Sequence, residues 1–177
     1  RPLVFGSPEE LQVQEDKRET LLDLGGEEVH FRTSDGKKLE GMHFAHSNDA
    51  PTVLLCLGSH ASYEEYALPM IQGLLDMGCN VMAFNYRGFG NSEGTPSERG
   101  LYKDVEAAYQ FLKEVKGVED ENLSVYGYSL GGGPATELAK RHDKVSLILD
   151  RSYSSMSTVV KDTVQKQWNL GPVGDRK

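Results

Sequence analysis

Gly127-Tyr128-Ser129-Leu130-Gly131 decides how this chain reads. The stretch stands directly after the short apolar run Leu123 to Tyr126 and just before Pro134 to Arg141, which reads as a helix. A serine wedged between a strand and a helix sits on a tight turn with strained backbone angles. Small residues two before and two after it are required, because side chains there would strike the neighbouring elements. Such a turn lifts the Ser129 hydroxyl above the strand ends. It also aims the first N–H groups of the helix at any oxyanion forming there. With Gly at about 7% of residues and Ser similar, the bare spacing is expected about 0.06 times by chance in a chain this long. The competing reading is a glycine-rich turn that merely lets a strand pack on a helix.

Working outward, the flanking sequence alternates strand and helix. Val29, Phe31 and Thr33 alternate with polar residues, Ser34-Asp35-Gly36 turns the chain, and Leu39 to Phe44 returns as the second arm of a hairpin. Thr52 to Leu57 is apolar throughout, as is Val81 to Phe84, and strands apolar on both faces belong inside parallel sheets covered by helices. A helix from Pro69 to Met77, stopped by Gly78, lies between them. Thr95-Pro96-Ser97-Glu98 predicts a helix start with Pro in the first turn and Glu closing a capping box. Leu101, Val105, Ala108, Leu112 and Val115 then recur at helical spacing up to Gly117. Val145 to Leu149 is a fourth buried-type strand, and Met156, Val160, Val164 and Trp168 predict a last amphipathic helix. The fold class is α/β: a mostly parallel sheet with helices on both faces after an opening hairpin.

Composition narrows the rest. The chain has 177 residues, with 19 Lys plus Arg against 27 Asp plus Glu, and its net charge of −8 makes nucleic acid or an anionic membrane face a poor match. No apolar run approaches the roughly 18 residues of a membrane span, and a cytoplasmic location is the default expectation. Cys56 and Cys79 are too few for a disulfide framework or a four-ligand zinc site, and each reads as a packed thiol. Residues 1–27 form an acidic N-terminal extension, a short solvated helix or arm, and 28–177 the core; across 1–28 there are eight acidic and three basic residues. Gly88-Phe89-Gly90 with Gly94 falls short of a dinucleotide fingerprint, because the third glycine comes one residue late and Thr95-Pro96 intervenes before the helix. Neither metal nor organic cofactor is implied.

On these residues the chain resembles the α/β-hydrolase superfamily, over residues 28 to about 160. Phe84-Asn85-Tyr86-Arg87-Gly88-Phe89-Gly90-Asn91-Ser92-Glu93-Gly94 and Tyr126-Gly127-Tyr128-Ser129-Leu130-Gly131-Gly132 are similar to its esterase, thioesterase and serine-aminopeptidase-like branch, which includes protein depalmitoylases. The resemblance implies that Ser129 is the nucleophile and that the N–H groups of Leu130 and Ser59 are the oxyanion donors. It implies a small acyl or peptidyl substrate and no cofactor. Where many relatives carry His-Gly at the oxyanion strand end, this chain has Leu57-Gly58, which leaves the backbone donor intact; His60 reads as loop scaffolding in preference to a substrate contact. Tyr63, Tyr66 and Tyr153 stand near strand ends, where aromatic residues line an acyl pocket or simply pack.

The rest of a triad is not legible. The fold's order is nucleophile, acid, histidine, yet 48 residues follow Ser129 and the last histidine, His142, reads as a cap on the helix after the nucleophile. Asp150 ends the fourth strand, one strand earlier than most relatives place the acid, and Asp162 and Asp175 read as surface residues. Three explanations stand. The chain is a fragment truncated after the sixth strand of the fold; a partner segment supplies the missing strands; or the domain is catalytically inactive and kept for binding. Sheet physics favours the first, since Val145 to Leu149 would otherwise be a bare apolar edge. Residues 152–177 read either as the start of a lid or as the next helix. Oligomeric state is not legible.

Overall fold

The computed structural model describes residues 8–58 and 62–152. Its order is α1 (Pro8–Asp23), β1 (Glu27–Arg32), β2 (Lys38–Phe44), β3 (Thr52–Cys56), α2 (Tyr63–Tyr66), α3 (Leu68–Asp76), β4 (Asn80–Phe84), α4 (Glu98–Glu114), β5 (Leu123–Tyr128), α5 (Gly132–Arg141) and β6 (Ser146–Asp150). One sheet runs β1-β2-β4-β3-β5-β6. The opening hairpin is antiparallel, with Phe31 opposite Leu39, and β2 joins β4 antiparallel; β4, β3, β5 and β6 are parallel. The expected α/β class, with its hairpin and parallel strands, is the observed one.

The apolar runs bury both faces by simple alternation. Val53 and Leu55 of β3 with Val81 and Ala83 of β4 pack against Leu21 of α1, Tyr63 of α2 and Ile71 of α3. Leu54, Cys56, Met82, Phe84 and Val125 point the other way, onto Leu101, Val105, Ala108 and Leu112 of α4 and Ala135 and Leu138 of α5. Strands that feed two cores must be apolar at every position, which is why they read as continuous runs.

Three local expectations need correction. The helix expected to open at Thr95-Pro96 opens at Glu98: Ser97 is extended (φ −157°) and its Oγ accepts from Gly100 N at 3.1 Å, so Ser97 is the N-cap. Glu98 closes no capping box, because its carboxylate accepts from Tyr102 Oη at 2.7 Å. Val115, assigned to the apolar stripe, caps the C-terminal end of α4 and is exposed. The predicted helix Met156 to Trp168 lies outside the described residues, as does Tyr153.

The acidic N-terminal stretch does form a helix, but its C-terminal half is anchored to the core rather than wholly solvated. Leu21 is fully buried, and Arg18 reaches two buried carboxylates, Glu40 on β2 and Glu64 on α2, at 2.8 and 2.7 Å.

Candidate active site

Ser129 occupies the junction that the sequence marks out. β5 ends at Tyr128, Ser129–Gly131 make one 3-10 turn, and α5 continues from Gly132. Its φ of 52° lies in the left-handed region, a conformation that costs an L-residue about 1–2 kcal/mol. The surroundings impose that turn. A Cβ on Gly127 would lie 2.7 Å from Gly132 Cα and 2.9 Å from Ala135 Cβ, and a Cβ on Gly131 would overlap the Cys56 carbonyl. Both positions therefore have to be glycine for β5, α5 and β3 to meet as they do. Ser129 itself is half-buried.

The end of β3 closes the other side. A Cβ on Gly58 would sit 3.7 Å from Ser129 Cβ and 4.0 Å from its Oγ. The segment leading to Ser59 thus abuts Ser129, while Ser59 and His60 lie outside the described residues. Leu130 N–H belongs to the first turn of the helical run, where backbone donors have no intrahelical acceptor. Together with the helix dipole, that donor favours negative charge beside Ser129.

The chain resumes at Ser62, and the next turn is fastened from several directions. Tyr63 N donates to Asn85 Oδ1 at 2.9 Å, and Asn85 Nδ2 donates to Glu40 Oε1 at 2.9 Å and Glu64 Oε2 at 3.1 Å. Burial works to raise the Glu40 carboxyl. The Asn91 backbone N–H and the Arg18 and Asn85 side chains outweigh it and hold Glu40 below its ordinary value. Nothing in composition announced this cluster. The available signal was Asn85, a polar residue directly after a wholly buried strand, and Arg18, a rare cation in an acidic stretch.

The described histidines lie away from Ser129. His30 and His43 are on β1 and β2, and β2 is three strand spacings, about 14 Å, from β5. His46 N bonds Asn80 Oδ1 at 2.6 Å, at the start of β4 and therefore the opposite end of the sheet. His142 is the C-cap of α5, ten residues or about 15 Å from the elbow. Its ring does not cap the helix as expected. It bonds Glu106 at 3.0 Å and stacks on Tyr109 with centroids 3.9 Å apart.

Asp150 lies next to the elbow, opposite Tyr128 in register, and accepts from Tyr126 Oη at 2.7 Å. Burial and that bond push the Tyr126 hydroxyl up to about 12, so Asp150 is held by a neutral phenol. Cys56, the thiol nearest the site in sequence, is fully buried and pushed up to about 12, which removes it as a nucleophile. Neither cysteine is disulfide-bonded. Tyr63 packs in the core and Tyr66 is exposed on the surface, so neither shows itself as an acyl-pocket wall. Among the described residues, no three His, Cys, Asp or Glu side chains gather as a metal site, and no helix is long and apolar enough to cross a membrane.

Comparison with known proteins agrees with this architecture. Residues 51–171 match the family described as alpha/beta hydrolase fold, and the chain belongs to that family. An uncharacterized protein of Mycobacterium tuberculosis is 33% identical over 136 residues, 76% of this chain and 48% of the relative. The human alpha/beta hydrolase domain-containing protein 17B is 33% identical over 134 residues, 75% of this chain and 46% of the relative. Among solved structures, the Pyrococcus furiosus esterase Pf2001 superposes with a TM-score of 0.73 at 25% identity, covering 85% of this chain and 58% of that one. An alpha-beta hydrolase of Vibrio vulnificus gives 0.74 at 29%, covering 85% and 54%. The chain thus spans about half the length of the curated relatives it matches.

Proposed function

We propose that the protein is a serine hydrolase that cleaves a carboxylic ester, thioester or amide through an acyl-enzyme on Ser129. The observation that carries this reading is the left-handed Ser129 at a strand-to-helix turn whose flanking glycines admit no side chain. Ser129 Oγ adds to the carbonyl carbon and passes its proton to a histidine base supplied from outside the described residues. An acid orients that histidine. The carbonyl oxygen, now negative, rests on the N–H groups of Leu130 and Ser59. In comparable enzymes, losing one such donor costs about 10²–10³ in rate. Collapse expels the alcohol, thiol or amine, which takes the proton from the histidine. Water activated by the same base then releases the acid and frees Ser129. The esterase among the structural neighbours and the hydrolase family support the reaction class.

Intact-mass analysis of the natural full-length protein, before and after a fluorophosphonate probe, tests this reading. One adduct is expected, absent from Ser129→Ala. A full-length protein that gains no adduct sinks the proposal and leaves a binding domain in its place.

A further inference from the structure

Among the described residues, Ser129 and Arg151 are the two non-glycine residues in the left-handed region, with φ of 52° and 50°. They hold equivalent places on neighbouring strands. Tyr128 pairs with Asp150 in the β5–β6 register, and each strained residue directly follows its member of that pair. Such backbone persists only where the surroundings over-determine it. On the β3 side of Ser129, the Cys56 carbonyl crowds Gly131, and Gly58 abuts Ser129 itself. On the β6 side, the turn at Arg151 brings Ser152 back against β5 and α5.

Ser152 Oγ donates to Gly127 O at 3.0 Å and stands 3.3 Å from Asp150 O. A hydroxyl has one proton to give, and the nearer acceptor belongs to β5 rather than to its own strand. A Cβ on Gly132 would overlap Ser152 Oγ and Cβ, so Ser152 also packs directly on the start of α5. One side chain thus touches both ends of the elbow: Gly127, which ends the strand two residues before Ser129, and Gly132, which opens the helix three residues after it. Among the described residues, it is the one side chain that hydrogen-bonds the backbone of 127–132.

Resting on the reading of Ser129 as nucleophile, we infer that Ser152 is a positioning residue for it, holding both ends of the elbow so that the Ser129 hydroxyl and the Leu130 N–H keep their spacing. It acts through the backbone of Gly127 and Gly132, not on the substrate. A misplacement of about 1 Å at a reacting group costs about 10² in rate. A loosened elbow leaves the surfaces that bind the ground state in place, so the loss falls on the chemical step rather than on binding. A hydroxyl that merely ended β6 would give its proton to the Asp150 carbonyl, and its removal would lower stability without dividing kcat from KM.

Fluorophosphonate labelling of the natural full-length protein and of Ser152→Ala, each well below its melting midpoint, measures the chemical step apart from binding. The maximal labelling rate should fall tenfold or more in the variant, with the half-saturating probe concentration within twofold. Where p-nitrophenyl butyrate is turned over, kcat and KM should divide in the same way. Gly132→Ala displaces Ser152 while leaving its hydroxyl, and should show the same loss. The double variant should be no slower than the slower single one, because both break one contact. An unchanged maximal rate in Ser152→Ala, a change in half-saturation alone, or a double variant whose loss is the product of the two would overturn the assignment. Hydrogen exchange separates this failure from failure of the nucleophile, since it needs no turnover. Peptides spanning 123–138 should exchange at least tenfold faster in Ser152→Ala, with those of β1 and β2 unmoved. If exchange at the elbow does not quicken, Ser152 does not hold it, and the proposal falls even where the rate drops. If exchange quickens but the natural protein takes no adduct, the nucleophile reading fails and the positioning role falls with it, while the contact itself is real.

Discussion

At Ser129 the backbone and the side chain make opposite demands. The turn wants a residue indifferent to a φ of 52°, which is glycine, yet the position carries a serine. Strain held by rigid neighbours at a reactive position is a recurrent mark of function, and here it can be weighed. Ser129→Ala keeps the Cβ and the strain, whereas Ser129→Gly removes both. Glycine regains about 1–2 kcal/mol of left-handed strain and gives back about 0.4–1 kcal/mol through the freer unfolded chain. Ser129→Gly should therefore be more stable than Ser129→Ala by about 1 kcal/mol, read from paired urea denaturation curves. Equal midpoints would mean that the turn is not strained. The serine and its glycines were legible because steric exclusion acts through residue type, and residue type is what a sequence records. The partner that makes Gly131 obligatory, the Cys56 carbonyl, lies 75 positions earlier and shows only in three dimensions.

At the scale of elements, the strands were readable and the fastening between them was not. A strand buried on both faces has to be a continuous apolar run, so β3 and β4 announced themselves. The helix α1 was legible only as a solvated helix or arm, because its apolar face is thin and much of its contact with the core is an ion cluster beside Leu21. Arg18 joins Glu28, Glu40 and Glu64 across three elements, a pairing with sequence separations of 10, 22 and 46 that no local pattern encodes. Two of those carboxylates are almost wholly buried, so removing the cation leaves charge uncompensated. Arg18→Met should cost about 3 kcal/mol at pH 7. The sign of its pH dependence follows from Glu40, whose carboxyl is held below its ordinary 4.5 against the opposing effect of burial. A depressed carboxyl contributes stability that is full above 4.5 and drains as pH falls through the lower, folded value. Melting temperatures of native protein and Arg18→Met should accordingly converge between pH 5 and pH 3. A gap that stays constant or widens would show that Arg18 acts through packing instead.

For the whole molecule, the six strands hold Ser129, the proposed nucleophile, and the end of β3 that leads to Ser59, the proposed second oxyanion donor. They do not bring a base to it. That division follows the sheet: the elbow and the β3 end are neighbours through the β3–β5 pairing, Cys56 opposite Gly127, so one set of parallel strands suffices to assemble them. The base that the proposed mechanism requires was illegible for a physical reason, since no described histidine sits on an element whose C-terminal end reaches that corner. The same geometry leaves β6 paired with β5 alone among the described residues, with Leu147, Ile148 and Leu149 exposed at 39, 41 and 50%. Three adjacent apolar residues beside unpaired backbone donors and acceptors form a template for further strand pairing. A polypeptide of residues 1–177 expressed by itself should therefore self-associate, its apparent mass by light scattering rising with concentration. Ile148→Lys places a charge on that edge and should return the scattering mass toward the 19.6 kDa monomer. If the unmodified polypeptide stays monomeric across a hundredfold range of concentration, the β6 edge is covered by other residues of the same chain.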